Sequence, residues 1–432
     1  MPNRLLTPLE KVQDFQRRLY LKAKRKEVKR FYSLYDKVYR WDILAESWRR
    51  VKANKGCAGV DGKTIEDIEK KGVRQFLEEI QKDLKEKRYK PDCIKRVYIP
   101  KPNGDKRPLG IPIIKDRVIQ MAAKIVIEPI FEAGFQDCSY GFRPKRSAQQ
   151  SLKKVKWLLN RGYTQVIDAD LKSYFDTIPH DRLIEIIAKR ISDKNILKLI
   201  KLWLKAGVVN EGAIQRNGAT GTPQGGVVSP LLANIYLNEL DKIWRERYER
   251  QFNAHLIRYA DDFVILSGRQ PQGNLKTLRK IIEGLNLKLN EEKTKILNME
   301  KDRLTFLGFS HKKVYDRKRN ARYIISFPSA KAMKTIRSRV RELTNSQIPE
   351  KVKVIVSRLN PVLRGWANYF IEGNSSRWFC KLRYYVGKKV RRFIQKRRQR
   401  GGFGAYPNRY LYKELGLYYL TTNRLRLSSE SL

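Results

Sequence analysis

Two adjacent aspartates, Asp261 and Asp262, lie within RYADDFVIL, a stretch whose other residues are mostly aromatic and aliphatic. Hard divalent cations bind carboxylate oxygens, so paired aspartates on a rigid hairpin could form a metal site. Aspartate is also a common turn residue, and the apolar residues on either side could form the strands of an ordinary hairpin. The stretch alone leaves both interpretations open.

Three further acids follow a second strand-like run, in VIDADLKSYFD. Asp168 and Asp170 lie at the end of the run that starts at Gln165, and another acid, Asp176, follows in the next turn. Rigid strands present catalytic groups at their ends. This second acidic strand therefore favours a metal site shared with the first pair of aspartates.

The segment RVYIPKPNGDKRPLGIP, from Arg96 to Pro112, has the pattern of a β-hairpin with a Pro-Asn-Gly-Asp turn. Lys101 and Arg107 flank this turn. They could grip a triphosphate, with the guanidinium as a fork and the ammonium as a point charge. They could equally be solvated cations on an exposed hairpin, and the local pattern favours this second interpretation.

Helical patterns cover much of the chain. A run without glycine or proline predicts helix over residues 12–51, and amphipathic stretches predict a helix over 115–132 and two helices within 180–209. The glycine-rich turn TPQGG leads into a further helix. Ser229 and Pro230 have the residue types expected at its N-cap and first helical position.

The 432 residues include 93 Lys and Arg against 44 Asp and Glu, a formal net charge of +49. Such an excess indicates a polyanionic partner with many phosphates. No stretch approaches the roughly 18 apolar residues of a spanning helix, and the N-terminus lacks the apolar core of a signal peptide. Nucleic acid is therefore favoured over a membrane surface, and the length predicts two or three domains.

The cysteines and histidines are scattered. The four cysteines, Cys57, Cys93, Cys138 and Cys380, form no CxxC pair, and the three histidines form no cluster. This pattern indicates free thiols in a reducing cytoplasm and argues against a disulfide framework, a zinc knuckle or a histidine-based nuclease.

The sequence from Gly373 to Lys413 contains no acidic residue and interleaves cations with aromatic side chains. Cations pair with phosphates and aromatic rings stack on unpaired bases, so the pattern predicts an RNA-binding helical domain. The cations are Arg377, Lys381, Arg383, Lys388, Lys389, Arg391, Arg392, Lys396, Arg397, Arg398, Arg400, Arg409 and Lys413, and the interleaved aromatics include Trp378, Phe379, Tyr384, Tyr385, Phe393, Phe403 and Tyr406.

Eight motifs together have the order and approximate spacing of one family. They are YIPKPNGDKRPLGIPIIKDRVIQ, YGFRPKRSAQQ, VIDADLKSYFD, GTPQGGVVSPLLANIYLNELD, RYADDFVIL, LNEEKTKI, LTFLGF and RLNPVLRGWANYF. The first seven resemble the blocks of bacterial group II intron-encoded reverse transcriptases, and the last resembles the core of their maturase domain, or domain X. The resemblance covers nearly the whole chain from about Ser33 onward.

The resemblance implies an α+β fold: a right-hand polymerase with fingers and a palm, the palm containing a small antiparallel sheet flanked by helices, followed by a helical thumb/maturase domain. The implied parts are an N-terminal helical extension (1–50), fingers (51–162), a palm (163–315) with inserted helices at 180–206, and the thumb/maturase domain (328–432). The inserted helices are expected to grip the template.

The same resemblance makes Asp170, Asp261 and Asp262 the catalytic, metal-binding carboxylates. Two Mg²⁺ ions would activate the primer 3′-hydroxyl and stabilise the pyrophosphate leaving group. Asp168 is then a neighbour on the strand, and Asp176 is a structural acid.

Five further residues match positions that contact substrate in the family. Lys101 and Arg107 match the pair that grips the triphosphate, which reverses the interpretation favoured by the local pattern. Tyr174 matches a bulky aromatic that would clash with a ribose 2′-hydroxyl and so select deoxynucleotides. Gln224 matches a glutamine beside the incoming nucleotide and primer end, and Tyr259 is expected near the primer terminus.

The implied function is an RNA-directed DNA polymerase that synthesises cDNA from intron RNA and acts as a maturase in splicing and mobility. Its expected partners are group II intron RNA, an RNA template with a DNA primer, dNTPs and target DNA, without a membrane. We expect it in the bacterial cytoplasm and at the nucleoid. No endonuclease domain follows the maturase motif, so mobility is expected to use existing 3′ ends.

Two alternatives are a polymerase-inactive RNA-binding splicing factor and a related reverse transcriptase recruited to phage defence or CRISPR adaptation. The first would be expected to lose metal carboxylates, and the second to lose or replace the maturase domain. Both features are present in the sequence. An active intron enzyme is therefore the leading interpretation.

Overall fold

The structure, a computed structural model, describes residues 7–25, 30–100, 106–210, 213–215, 218–222, 225–318, 320–345, 347–398 and 402–422. Its helices and three small sheets confirm the predicted α+β class. The chain divides into two compact units. Unit 1 comprises Met1–Ser147, Ala169–Val264 and Gln272–Lys295, and unit 2 comprises Ala148–Asp168, Ile265–Pro271 and Ile296–Leu432.

Both units are rich in helices. The α-helices are α1 (Pro8–Lys24), α2 (Tyr35–Val38), α3 (Trp41–Ala53), α4 (Ile65–Lys71), α5 (Val73–Lys85), α6 (Ile114–Glu132), α7 (Ala148–Asn160), α8 (Tyr174–Thr177), α9 (His180–Ala188), α10 (Lys194–Lys205), α11 (Ser229–Ile243), α12 (Glu249–Phe252), α13 (Pro271–Gly284), α14 (Ala330–Leu343), α15 (Val352–Phe370), α16 (Ser376–Arg398) and α17 (Gly402–Ala405). Two π-helical turns cover Trp244–Tyr248 and Tyr410–Glu414. Among the described residues, no helix combines the length and apolarity needed to cross a membrane.

The strands form three sheets. They are β1 (Ile94–Pro100), β2 (Lys106–Ile111), β3 (Gln165–Ala169), β4 (Val208–Asn210), β5 (Ala213–Gln215), β6 (Ala254–Tyr259), β7 (Asp262–Ser267), β8 (Lys295–Asn298), β9 (Leu304–Phe306), β10 (Phe309–Asp316) and β11 (Ala321–Pro328). The sheet orders are β2-β1-β4-β5, β11-β10-β9 and β6-β7-β3-β8. Strands β1 and β2 pair antiparallel from Lys95↔Ile111 to Pro100↔Lys106, which confirms the predicted hairpin strands.

Helix α6 forms much of the core of unit 1. Its apolar residues cover all sides of the helix, so nearly the whole length is buried, and α1 and α3 pack against it. It confirms the helix predicted over 115–132. Helices α9 and α10 likewise confirm the two helices predicted within 180–209, and Asp193 caps α10 by accepting from the backbone N–H groups of Asn195 and Ile196.

The helix predicted over residues 12–51 is interrupted, since α1, α2 and α3 cover only part of it. Helix α1 ends at Lys24, and the chain at Phe31 is extended instead. The Phe31 N–H donates to the carbonyl of Arg190, and the Phe31 carbonyl accepts from the N–H of Ser192. This backbone pairing with a segment distant in sequence replaces local helical hydrogen bonds, so the local apolar spacing did not reveal it.

The N-cap predicted for α11 was wrong. Ser229 and Pro230 occupy the first helical turn, and Val228 precedes the helix without making a side-chain cap. Val228 already has φ −87° and ψ −20°, and its carbonyl accepts from the N–H of Leu232 at 3.1 Å. The helix therefore begins one residue earlier than the residue types indicated.

Unit 2 combines a β-hairpin with helices. Strands β10 and β11 pair antiparallel from Phe309↔Pro328 to Asp316↔Ala321. Phe309 packs against Phe370 of α15 with ring centroids 4.7 Å apart, while Leu363 of α15 and Phe379 of α16 are almost fully buried. Aromatic and aliphatic packing therefore forms the core of this unit. The functional division into 1–50, 51–162, 163–315 and 328–432 stays a prediction, because the two units are defined by compactness.

Candidate active site

The Tyr-Ala-Asp-Asp stretch forms a tight connection between two strands. Strand β6 ends at Tyr259, β7 begins at Asp262, and the predicted hairpin is confirmed. Ala260 has φ +58°, a left-handed conformation that is uncommon for residues with a Cβ atom. The turn therefore holds Asp261 and Asp262 in a fixed backbone arrangement with some conformational cost.

Asp170, which follows β3, accepts hydrogen bonds from two side chains. Lys293 Nζ lies 2.8 Å from Asp170 Oδ2, and Asn290 Nδ2 lies 3.3 Å from the same oxygen. The backbone carbonyl of Asp170 also accepts from the N–H of Asn290 at 2.8 Å. The segment between α13 and β8 thus fixes both the backbone and the side chain of this aspartate.

The three aspartates share one electrostatic environment. Burial raises the pKa of Asp261, and the negative charge of Asp170 raises it further. The pKa of Lys293 is raised, first by its hydrogen bond to Asp170 and then also by the charges of Asp262 and Asp261. The charges of Asp170, Asp261 and Asp262 therefore all act on one ammonium group, that of Lys293, which contacts Asp170 directly.

The carboxylates of the three aspartates are of a type that binds hard cations, although they do not form a complete metal site. Among the residues that the structure describes, no three acidic, histidine or cysteine side chains form a group that could hold a metal ion. Carboxylate oxygens are nonetheless the ligands that Mg²⁺ prefers. The charge of Asp170 contributes to the raised pKa of Asp261, and the charges of the acids contribute to the raised pKa of Lys293. Both directions indicate that positive charge stabilises this group of acids.

Arg107 of β2 acts on the same site. It lies opposite Ile99 of β1 in the hairpin register, and its side chain is exposed. Its positive charge opposes the rise in the pKa of Asp261. Of the predicted triphosphate-binding pair, Arg107 therefore lies within electrostatic range of the aspartates, and Lys101 lies outside the described residues.

Tyr174 points into the core of unit 1. Its side chain is 2% exposed, and its hydroxyl donates to the carbonyl of Ala233 at 2.6 Å. Burial raises the pKa of this hydroxyl well above its usual value. The next residue, Phe175, is only half-buried and packs edge-on against Tyr174 with ring centroids 5.5 Å apart.

Phe175 is the residue that the sequence analysis missed. The signal was the adjacent aromatic pair in SYFD, because two neighbouring rings on one short helix cannot both face the same side. The hydrogen bond from Tyr174 to α11 decides which of the two faces the core.

The remaining predicted residues are Tyr259 and Gln224. Tyr259 is half-buried, and its ring centroid lies 6.5 Å from that of Phe142, which is 53% exposed. Gln224 lies outside the described residues. The neighbouring Gly225 has φ +114°, and a Cβ atom there would lie 2.2 Å from the carbonyl oxygen of Gly110, so this turn requires glycine to approach β2.

The aromatic side chains of α16 divide between the core and the surface. Phe379 and Phe393 are almost fully buried, whereas Tyr384 is 62% exposed. The face of α16 towards α14 borders three cavities of about 440, 430 and 340 Å³. We call this surface the α14–α16 groove, and its cationic lining residues are Lys334, Arg337, Arg341, Lys381, Lys388, Lys389 and Arg392.

Comparison with known proteins gives two family matches. Residues 99–311 match the reverse transcriptase (RNA-dependent DNA polymerase) family. Residues 333–411 match the group II intron maturase-specific domain. The two matches follow one another along the chain and contain the candidate active site and the α14–α16 groove, respectively.

Several curated proteins are similar to the chain. Protein YkfC of Escherichia coli K12 is 36% identical over 361 residues, 74% of this chain and 93% of that protein. The group II intron-encoded protein LtrA of Lactococcus lactis is 35% identical over 62% of this chain, which spans 43% of LtrA. An uncharacterized 91 kDa protein in the cob intron of Schizosaccharomyces pombe is 28% identical over 80% of this chain and 51% of its own length.

One solved structure, a partial Cas6-RT-Cas1–Cas2 complex, matches with 22% identity. The match covers 58% of this chain and 42% of that chain, with a TM-score of 0.37. This score is too low to support an argument about function.

The fold and the family matches define a reverse transcriptase, an RNA-directed DNA polymerase, followed by a maturase domain. The chain belongs to the group II intron-encoded reverse transcriptase/maturase family. Neither alternative, a polymerase-inactive splicing factor or an enzyme of defence or CRISPR adaptation, is favoured by these matches. Polymerases of this kind are metal-dependent.

Proposed function

We propose that the chain extends a DNA primer on an RNA template, with Asp170, Asp261 and Asp262 as the carboxylates that hold the catalytic metal. The observation that carries this assignment is the shared electrostatic environment of the three aspartates around Lys293. An acidic cluster with one ammonium is unusual in a chain with a net charge of +49, and its position next to a strained turn is typical of a functional site.

The reaction forms a bond between the primer 3′ oxygen and the α-phosphorus of the incoming dNTP. The bond from that phosphorus to the bridging oxygen breaks, pyrophosphate leaves, and the 3′-hydroxyl proton passes to solvent. Two Mg²⁺ ions, when bound, would supply activation of the hydroxyl and charge stabilisation on the leaving group. The protein contributes the three carboxylates and the rigid turn that orients two of them.

For the nucleotide site we propose Arg107 and Lys101 as the cations on the triphosphate. Arg107 is supported by its electrostatic effect on Asp261. We transfer the role of excluding the ribose 2′-hydroxyl from Tyr174 to Phe175, because the Tyr174 hydroxyl is bonded to Ala233 within the core. Gln224 beside the primer end and Tyr259 near its terminus stay proposals from the family motif.

For the maturase domain we propose that the α14–α16 groove binds the backbone of group II intron RNA. The density of cations around its cavities and the exposed ring of Tyr384 support this proposal, because phosphates and unpaired bases need those partners. Binding would assist splicing, cDNA synthesis would support mobility into target DNA, and both would take place in the bacterial cytoplasm or at the nucleoid.

The test is extension of a DNA primer annealed to an RNA template, with dNTPs and Mg²⁺. Wild type should give full-length product, and Asp261→Ala with Asp262→Ala should give none. The matched control is Asp176→Ala, which removes an exposed acid close to Asp170 in sequence and should retain extension. Extension by the double variant, or none by wild type at any Mg²⁺ concentration, would overturn the proposal.

A further inference from the structure

Arg258, directly before the catalytic turn, carries a guanidinium that is completely buried. Its Nε and Nη2 donate to the two carboxylate oxygens of Asp241, at 2.8 and 2.5 Å. Its Nη1 donates to Asn234 Oδ1 at 3.0 Å and to the carbonyl oxygen of Ala260 at 2.9 Å. One side chain therefore joins two residues of α11 to the backbone of the turn.

The ion pair alone does not require this arrangement. Asp241 is also completely buried, and two well-packed apolar residues often stabilise a core as much as a buried ion pair does. What an apolar pair could not supply is the hydrogen bond to Ala260. This bond is the part of the network that reaches the candidate active site.

The carbonyl of Ala260 belongs to the peptide unit whose N–H is that of Asp261. This peptide unit therefore leads directly from the oxygen that Arg258 bonds into the residue that carries the carboxylate. Because a peptide unit is planar, fixing its carbonyl oxygen also fixes the direction of its N–H. Arg258 thereby holds the peptide unit from which Asp261 continues.

The conformation that Arg258 holds is one that Ala260 does not prefer. A left-handed alanine costs roughly 1 to 2 kcal/mol, and Ala260 has φ +58°. The turn is also closely covered, since a Cβ atom on Gly141 would lie 2.4 Å from the Ala260 nitrogen. Asn234 donates to the Gly141 carbonyl at 2.8 Å, so the residue that accepts from Arg258 also holds this cover in place.

We propose that Arg258 is a positioning residue for Asp261, acting through the Ala260–Asp261 peptide unit. The proposal rests on the catalytic role proposed above for the aspartates. A purely structural arginine would stabilise unit 1 through Asp241 and leave the metal-binding carboxylate unaffected in the folded protein.

The first variant is Arg258→Lys. A lysine keeps a positive charge for Asp241, but one ammonium on a linear chain cannot reproduce the fork that reaches Asn234 and Ala260 together. In the folded fraction we expect kcat for primer extension to fall at least about tenfold, because misplaced catalytic groups lose rate steeply. The KM for dNTP should stay within about twofold, since the triphosphate contacts are unchanged. Mn²⁺ binding, measured by calorimetry on the protein without substrate, should weaken.

The second variant adds Ala260→Gly to Arg258→Lys. Glycine adopts positive φ without the steric cost, so the turn should need the guanidinium less. In the Ala260→Gly background, Arg258→Lys should therefore reduce kcat and Mn²⁺ affinity by a factor at least about threefold smaller than it does with Ala260 present. If Arg258→Lys lowers kcat and Mn²⁺ affinity equally with alanine and with glycine at position 260, Arg258 acts through the core. That result would overturn the proposal.

Two further variants separate stability from positioning. Asp241→Asn removes the partner charge but keeps the guanidinium beside Ala260, so Tm should fall while kcat per folded molecule is retained. Arg117→Lys is the matched control, because Arg117 is also a buried arginine, and it bonds two backbone carbonyls, those of Pro112 and Cys57. It should lower Tm without changing kcat or Mn²⁺ affinity.

Three results would contradict the positioning role: wild-type kcat and Mn²⁺ affinity in Arg258→Lys, a loss that only follows the unfolded fraction, or an equal loss of kcat in Asp241→Asn. Failure of the proposed function looks different. In that case wild type would not extend a primer, and the Mn²⁺ titrations would still test the effect of Arg258 on the turn.

Discussion

Cations serve opposite purposes in the β6–β7 hairpin, which carries Asp261 and Asp262, and in the α14–α16 groove. Arg258 beside the hairpin is completely buried, and its hydrogen-bond partners are a carboxylate, an amide and a backbone carbonyl at fixed distances. In the groove, Lys388 and Arg392 are exposed and border open cavities. One arginine sets a geometry, whereas many cations together set a charge density.

This difference predicts a different effect of substitution in each region. Removing a buried, bonded group changes positions and is insensitive to salt, because buried interactions are screened little. Removing an exposed cation changes affinity in increments that depend on ionic strength. The effect of substituting an arginine or a lysine, and its dependence on salt, therefore differ with the partners of that residue.

The largest expected effect is at Asp170. Asp170→Asn removes the carboxylate charge that Lys293 pairs with, and we expect primer extension to fall at least about a thousandfold, the loss that follows from several kcal/mol of transition-state stabilisation. Affinity for RNA should stay within about twofold. Single-turnover extension and filter binding on one preparation measure both. A large loss of RNA affinity in Asp170→Asn would contradict the assignment of catalysis and RNA binding to two different regions.

The next effect is in the α14–α16 groove. Lys388→Gln, Lys389→Gln and Arg392→Gln together should weaken RNA binding roughly thirtyfold at moderate salt and reduce the slope of log affinity against log salt by two to three units. Extension at saturating primer and template should be nearly unchanged. A salt titration of binding measures the slope. An unaltered slope would mean that these cations are solvated and do not contact phosphate.

A smaller effect is expected for the aromatic pair at the nucleotide site. Phe175→Ala should lower discrimination against ribonucleotides roughly tenfold, the size expected for removing one steric contact. Tyr174→Phe should leave discrimination unchanged and cost about 1 kcal/mol of stability through the lost bond to Ala233. Competitive incorporation of rNTP and dNTP distinguishes them. The reverse outcome would return the role to Tyr174.

Asp116 provides a prediction about stability and not about activity, and it is a third kind of buried ionisable group, one without a cation bonded to it. It accepts from Tyr89 Oη at 2.7 Å and from the Asp92 N–H at 3.1 Å, and burial raises its pKa to about 7. A raised carboxyl pKa means that the folded state binds the proton more tightly than the unfolded state. The free energy of unfolding should therefore fall as pH rises from about 4 to about 7, by up to about 1.4 kcal/mol per pH unit.

The measurement for Asp116 is urea unfolding of wild type and Asp116→Asn across this pH range. The difference between the two curves isolates this one group from the many other titrating residues. We expect the variant to lack the decline between pH 4 and 7. Parallel curves would show that Asp116 titrates at its ordinary pKa in the folded protein.

Local patterns were enough to predict the β6–β7 hairpin and α6. Alternating apolar residues around an acidic turn, and an apolar run with helical period, are properties of contiguous sequence. The break in the helix over 12–51 could not be predicted in this way. It depends on the backbone pairing of Phe31 with Arg190 and Ser192, which lie far along the chain.

The candidate site divides in the same way. The resemblance of the motifs to the family proposed the three aspartates as metal ligands, and carboxylates are the ligands that Mg²⁺ prefers. The motifs did not reveal that Arg258 bonds Asp241 and Ala260, or that Tyr174 faces α11 and leaves Phe175 half-exposed. Those facts depend on which side of a strand or helix meets its neighbour, and a single sequence without the fold does not determine it.

The most direct test of the central claim measures primer extension and RNA binding on the same two proteins. One is Asp261→Ala with Asp262→Ala, and the other is the groove variant Lys388→Gln, Lys389→Gln and Arg392→Gln. We expect the first protein to bind RNA like wild type and to extend no primer. We expect the second to bind RNA weakly and to extend the primer normally at saturating primer and template. Loss of both activities in either protein would contradict the claim that geometry and charge density act in separate regions.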